Sequence, residues 1–274
     1  MRRAVDAVVE ATRRWLGVSQ RLAVFAGDRF LVSYPKSGNT WARFLVGNLM
    51  RPDLDVTFRN IEQIIPDIYL NGPAALRRVP RPRVLKSHER FDPRYRKVVY
   101  LVRDPRDVAV SYWHHHVKFR MVREDEMTGA FIDRFLGGQL DDYGSWATNV
   151  GSWVGGREAD PDFLLVRYED LLDRPETGLR RIAGHLLIEA SSEELKIAID
   201  RSSIRRMRRM EREAHADIEP LKSARTDLRF IRRGQAGAWV DELSPRFAER
   251  IREAWGVQME QLGYLGEPSG PRGG

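Results

Sequence analysis

The chain has 274 residues, of which 42% are hydrophobic, enough apolar material for one large domain or two small ones. Its 46 basic and 39 acidic side chains leave a net charge of +7, which favours an anionic ligand, a nucleic acid or an acidic membrane surface without choosing among them. Cysteine is absent, which excludes disulfides, thiolate chemistry and cysteine-ligated metals and fits a reducing cytoplasm.

The first segment, residues 1–28, predicts an amphipathic helix. Val5, Val8, Val9 and Leu16 recur at helical spacing, and arginines stand beside them. We expect this helix to pack on the domain, with peripheral contact to a membrane as the alternative. Charges are scattered through the segment, so it predicts neither a signal peptide nor a membrane span.

Four short segments rich in valine and leucine predict buried strands, at residues 30–32, 83–87, 97–103 and 162–168. Helical patterns separate them, so we expect an α/β fold of three layers, with a central, mainly parallel sheet and helices on both faces. Residues 29–265 then form a single domain, and the tail GEPSGPRGG (266–274) is expected to be disordered. In such sheets ligands bind beyond the carboxyl ends of the strands.

The first strand runs into the polar loop YPKSGNTW (34–41), which leads into a helix. Backbone N–H groups and the helix dipole make such a junction a ready anion site. Lys36 adds a mobile charge, Gly38 allows close approach of the backbone, and Asn39 and Thr40 can donate hydrogen bonds. The loop lacks the Walker A order of glycine and lysine, so it predicts a phosphate site but not that of an ordinary ATPase or kinase.

The second strand ends in VLKSHERF, where Lys86 and His88 stand at the strand end. A histidine with an ordinary pKa of about 6.5 is mostly neutral at pH 7 and can accept a proton from a reacting group. His88 is therefore a candidate general base, with a purely structural role as the alternative.

The stretch KVVYLVRDPRDVAVSY (97–112) repeats the strand, loop and helix order. Asp104 can cap the helix, Pro105 suits its first position, and Asp107 favours its first turn. Arg103 then ends the strand and Ser111 lies about two turns into the helix. Arg103 can bind an anion, or it can simply pair with Asp104 or Asp107.

Three adjacent histidines, residues 114–116, follow on the same helix. Neighbouring helix positions point about 100 degrees apart, so the three cannot converge on one metal ion without other ligands. No metal site is predicted, and we expect the histidines to line an acceptor pocket. Trp146 and Trp153 are seven residues apart on one helix face and are expected to be core.

Together these motifs resemble the sulfotransferases that use 3′-phosphoadenosine 5′-phosphosulfate (PAPS), of the cytosolic type, from about Leu31 to about Leu265. YPKSGNTW resembles the family's 5′-phosphosulfate loop, and an arginine and a serine eight residues apart resemble its 3′-phosphate segment. RYEDLL (167–172) and FIRRGQAGAW (230–239) match two further family motifs. Two residues depart from the last of these: Arg233 replaces a lysine, and Ala238 replaces an aspartate whose loss is expected to loosen the loop.

The resemblance implies a set of roles. The nucleotide would be bound by Lys36, Ser37, Gly38, Asn39, Thr40, Trp41, Arg103, Ser111, Tyr168, Ser203, Arg232, Arg233 and Gly234. Trp41 would stack on the adenine, Tyr168 would lie near it, and Ile204 would give an apolar contact where relatives have an aromatic one. His88 would be the base, while Lys36 and Lys86 would stabilise the departing bisphosphate.

The expected reaction is direct in-line transfer of a sulfuryl group from PAPS to a hydroxyl or amine of a small-molecule or lipid acceptor, without a metal and without a covalent enzyme intermediate. The product would be 3′,5′-adenosine bisphosphate (PAP). Aromatic residues of the expected acceptor pocket are Phe58, Tyr69, Trp113, Phe119 and Tyr143.

Two alternatives remain at this stage. One is a different P-loop-type transferase or a nucleotide kinase, which would use ATP and Mg²⁺. The other is a basic protein that binds nucleic acid or a membrane; the arginine-rich stretch 201–212 supports it, but that stretch equally fits a solvated helix face or an extension of the nucleotide site. No nucleic-acid partner is expected. The family's C-terminal dimer motif is not visible, so the oligomeric state is open.

Overall fold

The structure, a computed structural model, describes residues 22–122, 127–157, 159–214 and 224–265. Most of the predicted N-terminal amphipathic helix and all of the predicted disordered tail lie outside these residues. Across the described ranges, no helix combines the length and the apolar character needed to cross a bilayer.

The sheet has four strands in the order β2-β1-β3-β4, and every neighbouring pair is parallel. The strands are β1 (Arg29–Ser33), β2 (Val84–Ser87), β3 (Lys97–Val102) and β4 (Phe163–Arg167). All four predicted strands are confirmed. Valine and leucine dominate them because a parallel sheet is buried on both faces.

The expected helical pattern between β2 and β3 is wrong, because residues 88–96 contain no helix. Helices separate the other successive strands and follow β4. They are α1 (Asn39–Met50), α2 (Ile61–Ile64), α3 (Pro73–Arg78), α4 (Pro105–Lys118), α5 (Gly129–Leu136), α6 (Trp146–Val154), α7 (Tyr168–Asp173), α8 (Pro175–His185), α9 (Ser192–Arg201), α10 (Ile204–Ala214), α11 (Trp239–Glu242) and α12 (Pro245–Gln261). The predicted start of α4 is confirmed, since Asp104 caps it, Pro105 opens it and Asp107 lies in its first turn.

Two hydrophobic clusters cover the two faces of the sheet, which confirms the three layers. Phe30 and Val32 of β1 belong to one cluster, together with residues of α4, α5, α6 and α12. Leu31, the residue between them, belongs to the other cluster, together with residues of α1, α2, α8 and α9. Trp146 and Trp153 are both 0% exposed in the first cluster, so their predicted place in the core is confirmed.

The strand order creates a switch point between β1 and β3. From β1 the chain moves to β2 on one side and then returns to β3 on the other. Ligands bind at such points, beyond the carboxyl ends of the strands, because the two loops diverge there and leave a crevice. The loop containing Lys36 follows β1, and Arg103 directly follows β3.

The opposite end of the sheet carries an ion pair that is sealed from solvent. Arg83 donates through Nε and Nη2 to the two carboxylate oxygens of Asp28, each at 2.8 Å, and both side chains are 0% exposed. Because Asp28 precedes β1 and Arg83 precedes β2, the pair ties the starts of two neighbouring strands together.

Candidate active site

The loop between β1 and α1 has an unusual backbone. Lys36 and Gly38 both have positive φ, at 66° and 92°. A Cβ on Gly38 would lie 2.8 Å from Cε2 of Tyr168 and closer still to Cδ2, so no other residue fits there without displacing that ring. The ring of Tyr168, the first residue of α7, therefore restricts the shape of the loop. Lys36 is a non-glycine residue in the left-handed region, so its backbone is strained, and such strain concentrates at functional sites.

Two polar residues of this loop differ in what they can offer a ligand. The hydroxyl oxygen of Ser37 is buried and has no hydrogen-bond partner within the described ranges. Asn39 instead donates its side-chain amide to the Leu31 carbonyl at 3.3 Å and to Ser33 Oγ at 3.2 Å. The side-chain donor of Asn39 is thus used inside the protein, and its backbone N–H, in the first turn of α1, is the group left for an anion.

Lys36 reaches away from its own loop towards α4. Its Nζ lies 3.2 Å from Nδ1 of His115 and 4.9 Å from the ring centre of Phe230. Burial, with the positive charges of Lys86 and Arg103, lowers the pKa of Lys36 to about 7. An arriving anion would favour the charged lysine, so binding and protonation are coupled at this side chain.

A cationic pocket lies around the end of that side chain. It is lined by Lys36, Ser111, His114, His115, Lys118, Arg229, Phe230 and Arg232. Three of these residues, Lys36, Ser111 and Arg232, are predicted nucleotide ligands from three separate stretches of the sequence. The fold brings them to one side of the sheet, as a common ligand requires.

Arg103 connects the same three stretches. Its Nη2 donates to the carbonyl of Gln235 at 2.9 Å and lies 3.3 Å from Asp107, and its Nη1 is 3.5 Å from the carbonyl of Lys36. The guanidinium carbon also lies 4.5 Å from the ring centre of Tyr168. The pairing with Asp107 that the sequence suggested as an alternative is present, and Nε of Arg103 is buried without a hydrogen bond in the described part of the chain.

The loop 230–239 is held by two carboxylates that sequence reasoning did not assign to it. Asp107 accepts the N–H groups of Gly237 at 2.8 Å and Trp239 at 3.0 Å, on either side of Ala238. At the other end Glu211 accepts the N–H of Phe230 at 2.6 Å. The loop is therefore anchored although Ala238 lacks a carboxylate. An acidic residue in a first helical turn was visible in the sequence, but its loop partners were not.

The arginine-rich stretch 201–212, which covers the last residue of α9 and most of α10, serves the protein itself at several positions. Arg208 donates to the carbonyls of Ile231 and Arg232, and Arg201 donates to the carbonyl of Leu54 at 3.1 Å. Arg206 pairs with Asp200 at 2.7 Å. These side chains support neighbouring segments, so much of the positive charge in 201–212 is used internally.

Arg232 and Arg233, both predicted to bind the 3′-phosphate, each contact Glu242. Glu242 Oε1 lies 2.5 Å from Nη1 of Arg232 and 3.2 Å from Nη1 of Arg233, while Oε2 lies 2.6 Å from Nε2 of His114. Sequence reasoning missed this carboxylate. Its only signal was an acidic residue three positions after Trp239, and nothing local connects that position to the arginines.

The predicted adenine contacts also come together. Trp41 donates its indole N–H to the carbonyl of Ser202 at 3.1 Å, and its ring meets that of Tyr168 edge-on, with centres 5.8 Å apart. A Cβ on Gly234 would lie 2.5 Å from Cδ1 of Ile204, so the loop 230–239 passes close to the start of α10, beside Ser203.

His88 is held in one tautomer. Its Nδ1 lies 2.8 Å from the carbonyl oxygen of Ser33, which can only accept, so Nδ1 carries the proton. Its backbone N–H donates to the Tyr69 hydroxyl at 2.9 Å. Burial and the charge of Lys86 keep the pKa of His88 well below its ordinary value. The imidazole is therefore neutral, with its lone pair on Nε2.

Lys86 does not stand as a free cation. Its Nζ lies 2.6 Å from Oδ2 of Asp67, and both side chains are largely buried. Burial lowers the pKa of Lys86, while Asp67 opposes that shift. Part of its charge is thus neutralised within the protein, which weakens the case for Lys86 as a stabiliser of a leaving group. Asp67 had no recognisable motif in the sequence.

Two of the five aromatic residues expected in the acceptor pocket lie beside His88. The ring centres of Tyr69 and Tyr143 lie 6.2 Å and 5.5 Å from that of His88. Phe58, however, packs against Phe44 at 4.8 Å within the cluster on the opposite face of the sheet. Its predicted place in the acceptor pocket is wrong, because the segment after α1 folds back onto α1. Two other residues named for that pocket lie elsewhere around α4, Trp113 against Phe131 and Phe119 against His115.

The three adjacent histidines contact different partners. His114 meets Glu242, His115 meets Lys36, and His116 lies edge-on to the ring of Tyr112 at 5.7 Å. In the four described ranges, no cluster of three or more histidine, aspartate or glutamate side chains is suited to a metal ion.

Comparison with known protein families gives one broad match. The family model described as "Sulfotransferase domain" matches residues 26–263. Among curated proteins, mouse Sulfotransferase 1B1 is 28% identical over 249 residues, covering 85% of this chain and 83% of the mouse protein. Bovine Sulfotransferase 1E1 is 24% identical and covers 85% of this chain and 83% of its own length.

Solved structures share the fold. A retinol dehydratase in complex with retinol and PAP superposes with a TM-score of 0.73 at 22% identity, covering 90% of this chain and 86% of that one. The mouse sulfotransferase SULT7A1 complexed with PAP gives a TM-score of 0.69 at 25% identity, covering 89% of this chain and 88% of that one. The P-loop-like α/β architecture expected from the sequence is thereby confirmed.

Proposed function

The chain belongs to the sulfotransferase family, whose members transfer sulfate to small-molecule acceptors, and from this premise we propose that it uses PAPS as donor and His88 as general base. The observation that carries the proposal is the meeting of Lys36, Ser111 and Arg232 in one pocket at the carboxyl edge of the sheet. His88 belongs to the same edge, since it contacts Ser33, the last residue of β1.

The residues fit a doubly phosphorylated nucleotide. Ser37 offers a buried hydroxyl without a partner in the described ranges, and Arg103 offers a buried Nε in the same condition. Gly38 leaves the backbone open to a phosphate group. Arg232 and Arg233 carry planar forks that can hold a phosphate through two bonds each. Trp41 and Tyr168 offer aromatic surface to the adenine ring.

The proposed reaction is a single in-line displacement. The acceptor oxygen or nitrogen forms a bond to sulfur while the bond from sulfur to the bridging oxygen of the 5′-phosphate breaks, and PAP leaves. His88 Nε2 takes the proton that the acceptor loses. Lys36 is the mobile cation that can follow the charge building up on the departing phosphate.

Binding and turnover can be tested separately. We expect PAP to raise the melting temperature, whereas ATP with Mg²⁺ and an oligonucleotide should not. The free energy of unfolding should rise by RT ln(1 + [L]/Kd), which is about 2.7 kcal/mol when PAP is present at a hundredfold excess over Kd. Labelled PAPS is then offered with a panel of hydroxyl- and amine-bearing compounds. Because one relative in the solved structures holds retinol, apolar alcohols are the first acceptors to screen.

His88→Ala is the decisive variant for the mechanism. It should lose turnover by about 10²- to 10⁴-fold, the usual contribution of a general base, while PAP still stabilises it as it does the wild type. Normal turnover in this variant would remove the proposed base. No stabilisation of the wild-type protein by PAP would remove the proposed donor. A lipid acceptor, membrane contact through residues 1–28 and a cytoplasmic location stay predictions.

A further inference from the structure

Glu242 holds a negative charge against the arginines that the proposed function assigns to the 3′-phosphate. It is the last residue of α11, its side chain is 16% exposed, and both carboxylate oxygens are engaged. Oε1 lies between Arg232 and Arg233, and Oε2 meets His114. Every one of these contacts is with a side chain that carries or can carry positive charge.

The carboxylate contacts two residues that line the cationic pocket. Arg232 and His114 line this pocket together with Ser111. His114 follows Ser111 by three residues on α4, so the two side chains lie one helical turn apart on the same side. Carboxylate and phosphate oxygens accept from the same guanidinium fork. A 3′-phosphate at Ser111 and Arg232 would therefore compete with Glu242 for the arginine.

The loop does not depend on Glu242 for its position. Its backbone is held by Asp107 at Gly237 and Trp239, and by Glu211 at Phe230 and Ile231, with N···O distances from 2.6 to 3.0 Å. Arg208 adds hydrogen bonds to two carbonyls of the same loop. Glu242 is therefore not needed to hold the backbone of the loop. None of these backbone hydrogen bonds replaces its contacts with the guanidinium groups of Arg232 and Arg233.

We propose that Glu242 is a specificity-determining residue that competes with the nucleotide's 3′-phosphate for Arg232 and Arg233. It thereby limits how strongly the enzyme prefers a 3′-phosphorylated adenine nucleotide over one with a free 3′-hydroxyl, and how tightly it retains the bisphosphate product. This inference rests on the proposed function, because it takes the two arginines to be the 3′-phosphate ligands.

The test compares two nucleotides and two variants. Glu242→Gln keeps the shape and removes the charge. Asp241→Asn is the matched control, since it makes the same charge change on a neighbouring side chain that is 76% exposed and 3.9 Å from Arg233. Dissociation constants for PAP and for adenosine 5′-phosphate, which lacks the 3′-phosphate, are measured by calorimetry for all three proteins.

We expect Glu242→Gln to bind PAP about tenfold tighter, the order expected for removing one competing charge from a partly buried pair. Its affinity for adenosine 5′-phosphate should stay that of the wild type. Asp241→Asn should match the wild type for both nucleotides. A thermal measurement adds a second readout: without ligand Glu242→Gln should melt below the wild type, and PAP should raise its melting temperature by more.

Three results would overturn the inference. PAP affinity that is unchanged or weaker in Glu242→Gln would mean that the carboxylate positions the arginines instead of competing for them. An equal gain for adenosine 5′-phosphate, or an equal gain in Asp241→Asn, would mean that only net charge matters. If the wild type binds neither PAP nor adenosine 5′-phosphate, the proposed function itself fails, and that outcome is distinct because it appears before any variant is made.

Discussion

Lys36 and His88, at the carboxyl edge of the sheet, both have pKa values below their ordinary ones, with different consequences for each side chain. Burial and neighbouring positive charge lower both pKa values. For His88 the shift keeps the imidazole neutral and ready to accept a proton. For Lys36 the shift brings the pKa to about 7, so the charge depends on what is bound. One cationic environment thus lowers the pKa of both the proposed base and the lysine proposed to respond to bound phosphate.

Nucleotide affinity should therefore fall as the pH rises above about 7. In the free protein Lys36 loses its proton through that pKa, and bound phosphate should raise the pKa again, so binding above pH 7 must take up a proton. Affinity for PAP should drop by up to about tenfold per pH unit between pH 7 and 9. Below pH 7 this group adds no further dependence, because it is already charged.

Calorimetry with PAP at pH 7, 8 and 9 measures this effect in a range where phosphate itself no longer titrates. Lys36→Met is the control: it should bind weakly and with little dependence on pH, since it cannot take up the proton. An affinity for PAP that is constant from pH 7 to 9 in the wild type would contradict the coupling.

The loop between β1 and α1 is the element on which the proposed nucleotide binding depends. Its shape comes from Gly38, which has a φ of 92°. The ring of Tyr168 occupies the space that a side chain at position 38 would need. The same ring lies edge-on to Trp41 and beneath the guanidinium of Arg103. The proposed phosphate loop, the predicted adenine contact Trp41 and the proposed anion ligand Arg103 thus all contact one tyrosine.

Gly38→Ala should consequently damage binding as well as stability. The added methyl group clashes with Tyr168 and forces alanine into the left-handed region, which together cost about 1–3 kcal/mol in the free energy of unfolding. Stabilisation by PAP should largely disappear, because the loop must move. Chemical denaturation and a PAP thermal shift measure the two effects.

Gly184→Ala is the matched control for that variant. Gly184 lies inside α8 with open space around its Cα and no positive φ, so alanine there should stabilise the protein by up to about 1 kcal/mol and leave PAP binding intact. A Gly38→Ala protein that behaves like the Gly184→Ala protein would refute the role given to the loop.

In the molecule as a whole, the proposed binding residues lie at one end of the sheet and a buried, stabilising ion pair lies at the other. The carboxyl ends carry Lys36, His88, Arg103 and Tyr168, which are polar groups with perturbed pKa values or unpartnered atoms. The amino ends carry the sealed pair of Asp28 and Arg83. A parallel sheet makes this division natural, since all of its strands end at the same edge.

Asp28→Asn should therefore lower stability without changing nucleotide affinity. Removing the charge of one partner leaves the Arg83 guanidinium buried and uncompensated, which costs about 3–5 kcal/mol. Denaturant unfolding measures the loss, and calorimetry with PAP below the melting temperature should return the wild-type Kd. Asp173→Asn, at a side chain that is 73% exposed, should match the wild type in both measurements. A weakened Kd in Asp28→Asn would contradict the separation of the two ends.

Much of this arrangement follows from the sequence by itself. The strands were predictable because continuous runs of valine and leucine are what a sheet buried on both faces requires, and the start of α4 was predictable because caps and first-turn residues act locally. The loop at Lys36 and the histidine at the end of β2 were also visible, since each is a local pattern at a strand end.

Only the tertiary structure decided which charges meet. Glu242, Asp107, Asp67 and Glu211 are ordinary acidic residues in the sequence, and they contact partners that lie up to 132 positions away along the chain. Phe58 was misplaced for the same reason, because an apolar side chain does not encode which face of the sheet will cover it. Local physics depends on neighbours along the chain, whereas electrostatics and packing depend on neighbours in space, and the fold alone brings those together.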